Sequence, residues 1–70
     1  MRHVYLVANL DRQDVAERLA ESLRRHLDGR QDIAGSPRIM VRRGRVNVEG
    51  VREDVAVELR EWCADRARKV

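Results

Sequence analysis

One short run of alternating residues constrains the fold more than any other feature of this chain. Between positions 38 and 49, every second side chain on either side of Arg43-Gly44 is apolar: Ile39, Val41, Val46 and Val48. This period of two is typical of strands with one buried face. We predict strands at 38–42 and 45–49, joined by a two-residue turn, because a slip of one residue would bury Arg45 and Asn47.

The flanking segments have the patterns of one more strand and two helices. Residues 3–10 are rich in β-formers and apolar at both alternating sets of positions, which predicts a strand. Residues 15–27 carry an apolar stripe at helical spacing. A second helix is predicted to begin near Val51, with an apolar stripe of Val55, Leu59, Trp62 and Cys63.

These elements predict an α+β fold, a two-layer βαββα sandwich with a three-stranded sheet and both helices on one face. Seventy residues suffice for one domain, so we take 1–70 as a single domain. The predicted core comprises Leu19, Leu23, Val41, Val46, Leu59 and Trp62. The sheet surface opposite the helices, here called the open face, is left without a cover by this architecture.

Positive charge is concentrated in the predicted hairpin. The chain carries 15 basic and 12 acidic residues and a formal net charge of +3. Four arginines and no acid lie between Ile33 and Val48, so the remaining charges nearly cancel. The four are Arg38, Arg42, Arg43 and Arg45.

This Arg-rich hairpin is the main candidate binding site. The pairing places Arg42 opposite Arg45, with Arg43 at the tip, and like charges opposite each other destabilise a sheet. Such an arrangement favours an anionic partner, namely nucleic acid, an acidic lipid headgroup or an acidic protein surface. Arg38 differs because Glu49 lies opposite it. The alternative is a solvated hairpin whose charges prevent edge-to-edge aggregation.

Tyr5 is the second candidate, and two interpretations stay open. On the open face with Met40, Arg42 and Asn47, it would form a stacking platform for bases, flanked by cations. Alternatively, a homodimer would bury an interface of Tyr5, Val7 and Met40. So small a core favours such self-association.

The residue inventory argues against catalysis, metals and cofactors. The single cysteine, Cys63, permits no intrachain disulfide and lies on an apolar stripe, which indicates a buried structural thiol. His3 and His26 stand at no metal-ligand spacing from it, and no nucleophile has a matching base. The short apolar run 4–8 fits neither a signal peptide nor a membrane span. Together with the unpaired cysteine, this predicts a cytoplasmic protein.

Residues 14–70 resemble a BON domain. The residues that carry the similarity are the helix 15–27, the alternating Ile39, Val41, Val46 and Val48 around Gly44, then Gly50 and a second amphipathic helix. The resemblance covers about four fifths of the chain. It implies a small module that binds phospholipid or another ligand. The family's closing Gly-Val strand is missing, and we expect the extra N-terminal strand to take its position.

The sequence therefore predicts a non-catalytic binding module that contacts a polyanion, with nucleic acid (RNA or DNA) ahead of anionic lipid. The contacts would come from Arg42, Arg43 and Arg45, supported by Arg38 and Tyr5. One alternative is an adaptor or homodimer that works through protein contacts on the open face. Another is a BON-like module for lipid or a small ligand.

Overall fold

The described part of the chain forms two helices and an antiparallel three-stranded sheet. The computed structural model describes residues 3–33, 35 and 37–68. The elements, in chain order, are β1 (Val4–Asn9), α1 (Gln13–Asp28), β2 (Arg38–Arg42), β3 (Arg45–Glu49) and α2 (Glu53–Arg68). The predicted βαββα order is confirmed, and the hairpin strands have the predicted bounds.

The sheet has the order β1-β3-β2, so the second hairpin strand is central and pairs with a neighbour on each side. Val41 pairs with Val46 and Ile39 with Val48, as the alternation predicts. The side chains of Val46 and Val48 are fully buried, since α1 packs against β2 and β3 while α2 packs against β1. The apolar set of the hairpin therefore faces the helices.

The core lies between this face and the helices, and its largest fully buried members are Leu23, Leu59, Val46, Val48 and Cys63. Of the predicted core, Leu19, Leu23, Val46 and Leu59 are buried. Val41 and Trp62 are partly buried and pack against this core, at its margin. Val41 lies on an edge strand, and the Trp62 ring stacks on His26 with centroids 4.7 Å apart.

A bulge in β1 sets which of its side chains face the helices. Leu6 pairs with Asn47 and Ala8 with Val46, which leaves Val7 as the extra residue between them. Such a bulge turns two successive side chains to one side of the sheet. Val7 is 2% exposed and belongs to the core, whereas Val4 and Leu6, at 52% and 41%, lie on the open face.

The connection between α1 and β2 is tied to the second helix by one arginine. The Arg30 guanidinium pairs with Asp32 at 2.5 Å and also with Glu58 of α2. The hydrogen bond from Arg30 lowers the pKa of Asp32. This ion-pair cluster links Arg30 and Asp32 to α2.

Candidate anion-binding hairpin

The tip of the Arg-rich hairpin is a two-residue turn with an unusual occupant. Arg43 has φ 52° and Gly44 has φ 78°. Two successive positive φ angles are characteristic of the type I′ turn, which matches the twist of the flanking strands and is normally occupied by Asn-Gly or Gly-Gly. Glycine suits position 44 for a second reason, because a Cβ there would overlap the carbonyl oxygen of Leu10.

The tip is held in place by the connection between β1 and α1. The backbone N–H of Leu10 donates to the carbonyl oxygen of Gly44, with a nitrogen–oxygen distance of 2.7 Å. The N–H of Gly44 in turn donates to Oε1 of Gln13 at 2.7 Å. Sequence reasoning missed both anchors, since no local pattern joins residues about thirty positions apart. The hairpin end is therefore a supported corner of the sheet.

Three guanidinium groups surround this corner. Arg42 pairs with Arg45 across the two strands, and Arg43 occupies the turn between them. All three residues are exposed. Within the described part of the chain, none of them takes part in an ion pair, and neither does Arg38. The predicted cluster of Arg42, Arg43 and Arg45 is thus assembled at one end of the sheet, with Arg38 at the other end of β2.

The open face consists of three rows of side chains that cross the three strands. Directly paired residues share a face, so the registers define the rows: Val4, Glu49 and Arg38; Leu6, Asn47 and Met40; Asn9, Arg45 and Arg42. The row at the hairpin end carries two positive charges and no negative one. The middle row is uncharged, with Leu6 and Met40 on either side of Asn47.

The predicted position of Tyr5 was wrong. Tyr5 pairs with Val48, so its ring lies on the helix side of the sheet, opposite Met40, Arg42 and Asn47. It therefore cannot stack a base beside Arg42. The chain has one tyrosine, one tryptophan and no phenylalanine, and Trp62 lies on a helix. The guanidinium groups alone remain as candidate ligand contacts at this end.

The predicted interface was wrong for the same reason. Val7 is buried in the core of its own chain and Tyr5 faces the helices, while Met40 lies on the open face. These three side chains share no surface. The apolar groups that the open face does present are Val4, Leu6 and Met40.

The remaining titratable candidates lie away from the hairpin. Cys63 is a free and fully buried thiol, and burial raises its pKa to about 11. His26 stacks on Trp62, and the Arg66 guanidinium lies 5.3 Å from the centre of the same ring. Among residues 3–33, 35 and 37–68, no cluster of three or more histidines, cysteines and carboxylates could hold a metal. No helix in these ranges is long and apolar enough to cross a membrane.

Comparison with models of known protein families, with curated proteins and with solved structures finds no match for this chain. The similarity to BON domains therefore stays a hypothesis. The assignment of a function rests on the residues of the hairpin.

Proposed function

We propose that this protein is a non-catalytic binding module whose Arg-rich hairpin contacts a polyanion, with nucleic acid, RNA or DNA, as the favoured ligand. The observation that carries the proposal is the positive φ of Arg43. A left-handed conformation costs a non-glycine residue about 1–2 kcal/mol, and asparagine or glycine would occupy this turn more favourably. A strained residue at an exposed tip suggests a functional role.

The neighbouring positions also carry positive charges that lower the stability of the sheet. Arg42 and Arg45 are a directly opposed pair of like charges, which is destabilising. Two unfavourable choices thus stand within four residues, and both add guanidinium groups to the same corner. A bound phosphate would relieve the repulsion and accept charge-assisted hydrogen bonds from arginine.

The anchored backbone supports the same function. Leu10 and Gln13 hold Gly44, so the three arginines project from a fixed turn. Less conformational entropy of the backbone is therefore lost on binding. Nucleic acid presents a dense, regular array of phosphates, roughly one charge per 1.7 Å of duplex axis. Such an array can engage several guanidinium groups at once. The unpaired thiol of Cys63 is in keeping with action in the reducing cytoplasm.

The decisive experiment measures how nucleic-acid affinity depends on salt. The variant R42Q/R43Q/R45Q is compared with a matched control, R18Q/R24Q/R25Q, which removes three exposed arginines from α1. Each phosphate neutralised contributes about −0.7 to −0.9 to the slope of log affinity against log salt concentration. The hairpin variant should flatten the slope by about two to three units, and the control should leave it largely unchanged.

Three results would overturn the proposal. Equal slopes for both variants would place the phosphate contacts elsewhere on the surface. Failure of RNA and DNA to bind at low salt, with binding to anionic vesicles, would make lipid the ligand. If neither nucleic acid nor lipid binds, the hairpin is only a charged, solvated edge. The favoured function is then protein binding through Val4 and Leu6 on the open face, either to another protein or in a homodimer.

A further inference from the structure

The outer edge of β2 presents unpaired backbone groups. In a hairpin closed by a two-residue turn, the flanking pair Arg42–Arg45 exchanges hydrogen bonds, and the direction of the backbone groups then alternates along the strand. The N–H and C=O groups of Ile39 and Val41 therefore point away from β3. In the described part of the chain, no side chain hydrogen-bonds to this edge.

The opposite edge of the sheet follows the same alternation of backbone directions. The same alternation turns the carbonyl group of Leu6 outward from β1. The Arg60 side chain of α2 donates its Nε–H to that oxygen at 3.1 Å. One acceptor of the β1 edge is thus occupied by a helix residue, whereas no side chain of the described residues hydrogen-bonds to the β2 edge.

Charge decides which strand the β2 edge can accept. Arg38 and Arg42 lie on the open-face side of this strand, on either side of Met40. If two copies paired antiparallel over the whole strand, each Arg38 would face Arg42 of the other copy. Like charges in opposed positions are destabilising and are a common protection against edge pairing. An incoming strand with carboxylates at these two positions would instead be attracted.

The helix side of the edge borders a cavity of about 200 Å³ beside Ile39. Leu27, Ile33 and Pro37 form the apolar part of its lining, and Arg24, Asp28 and Arg30 form the charged part. Arg30 is held there by Asp32 and Glu58. A strand paired with β2 would direct the side chain opposite Ile39 toward this cavity, since paired residues share a face.

We propose that the β2 edge binds an extended acidic peptide as a fourth, antiparallel strand. The peptide has the pattern acidic, apolar, any residue, apolar, acidic. Its two acids face Arg42 and Arg38, and its two apolar residues pair with Val41 and Ile39. Backbone hydrogen bonds supply affinity and the alternating side chains supply specificity, as in other cases of strand addition. The peptide site shares Arg42 with the proposed nucleic-acid contact, but Arg43 and Arg45 take no part in it, so the two proposals can fail separately.

The first test uses a capped peptide, Gly-Glu-Val-Thr-Val-Glu-Gly, titrated into the full chain and followed by amide NMR. The largest shifts are expected at Ile39 and Val41, with slowed exchange of both amides. The same peptide with lysine in place of both glutamates should bind about tenfold more weakly or worse, since two cross-strand pairs change from attraction to repulsion. Equal affinity for the two peptides would overturn the proposal.

Backbone methylation gives a sharper control. N-methylation of either valine removes a donor that faces β2 and should abolish binding. N-methylation of the central threonine alters an N–H that faces away and should leave the affinity within about twofold, because no hydrogen bond to the protein is lost. If methylated threonine weakens binding as much as methylated valine, the peptide does not pair with this edge.

A charge swap assigns the contact to one residue. The variant R38E should bind the acidic peptide more weakly than the unchanged protein does. A peptide whose last glutamate is replaced by lysine should bind R38E with the original affinity. The control R68E changes an exposed arginine on α2 by the same amount and should have no effect. R43N should lower nucleic-acid affinity and leave the peptide affinity unchanged, so failure of one proposal is separable from failure of the other. Absence of rescue with R38E would place the peptide elsewhere.

Discussion

Oε1 of Gln13 accepts a hydrogen bond from the backbone N–H of Gly44, and the two residues are 31 positions apart in the sequence. The bond joins the first residue of α1 to the tip of the hairpin. It satisfies a partly buried donor that would otherwise lack a partner in the turn. One side chain thus couples the start of a helix to the orientation of the arginine cluster.

Replacing Gln13 by alanine should destabilise the fold modestly and loosen the tip. A net loss of about 0.5–1.5 kcal/mol is expected for one such hydrogen bond. Hydrogen exchange of the Gly44 amide should accelerate more than that of Val46 in the centre of the sheet. The control is Q31A, because Gln31 is exposed and has no hydrogen bond within the described residues. Equal exchange at Gly44 in both variants would show that Leu10 alone holds the turn.

Replacing Arg43 by asparagine should stabilise the protein. Asparagine tolerates positive φ better than arginine, so a gain of about 0.5–1 kcal/mol is expected. For a domain of this size, that gain raises the Tm by roughly 2–8 °C. R43V should lower the Tm, because a β-branched side chain is least compatible with φ 52°. A lower Tm for R43N would contradict the strain assigned to Arg43.

Replacing Leu59 by alanine should unfold much of the population. The Leu59 side chain is fully buried between α2 and the sheet, and truncation of such a leucine costs about 2–5 kcal/mol. The matched control on the same helix is V57A, because Val57 is 46% exposed. Urea denaturation should show a large decrease in the free energy of unfolding for L59A and a small decrease for V57A. Equal midpoints would mean that the apolar stripe of α2 is misassigned.

The Cys63 thiol should make the free energy of unfolding depend on alkaline pH. Burial raises its pKa from 9.0 to about 11, so the unfolded chain loses this proton at lower pH than the folded one. The resulting stability is fully present below pH 9 and is lost as the pH rises through 11. C63A lacks this contribution, so the difference between the two proteins should change across this window. Iodoacetamide should label Cys63 slowly in the folded state, and rapid labelling at pH 8 would contradict its burial.

The hairpin and both helices are predictable from sequence because their apolar periods are unambiguous. A slip of one residue in the pairing would bury Arg45, so the alternation fixes which face of the sheet Val46 and Val48 occupy. β1 carries no such information. Val4 and Leu6 alternate with Tyr5 and Val7, so either set could face the helices, and the bulge after Leu6 settles the choice through tertiary packing. The errors at Tyr5 and Val7 both follow from this ambiguity.

The candidate site divides in the same way. The cluster at Arg42, Arg43 and Arg45 follows from the hairpin pattern alone, because cross-strand neighbours are fixed by a two-residue turn. The strain at Arg43 and the support from Gln13 cannot be predicted from the hairpin pattern. Both depend on how the loop after β1 contacts the turn. The accessible edge of β2 also requires the strand order, which the sequence leaves open.

The hydrogen bond from Arg60 to Leu6 has a consequence for assembly. A β-sheet with two free edges is bivalent, and a bivalent building block can polymerise into fibres. The Arg60 side chain occupies one acceptor in the middle of the β1 edge, so a strand that adds there must displace it, whereas no side chain of the described residues hydrogen-bonds to the β2 edge. Addition at β2 is then favoured over addition at β1, and growth of the sheet from both edges is disfavoured.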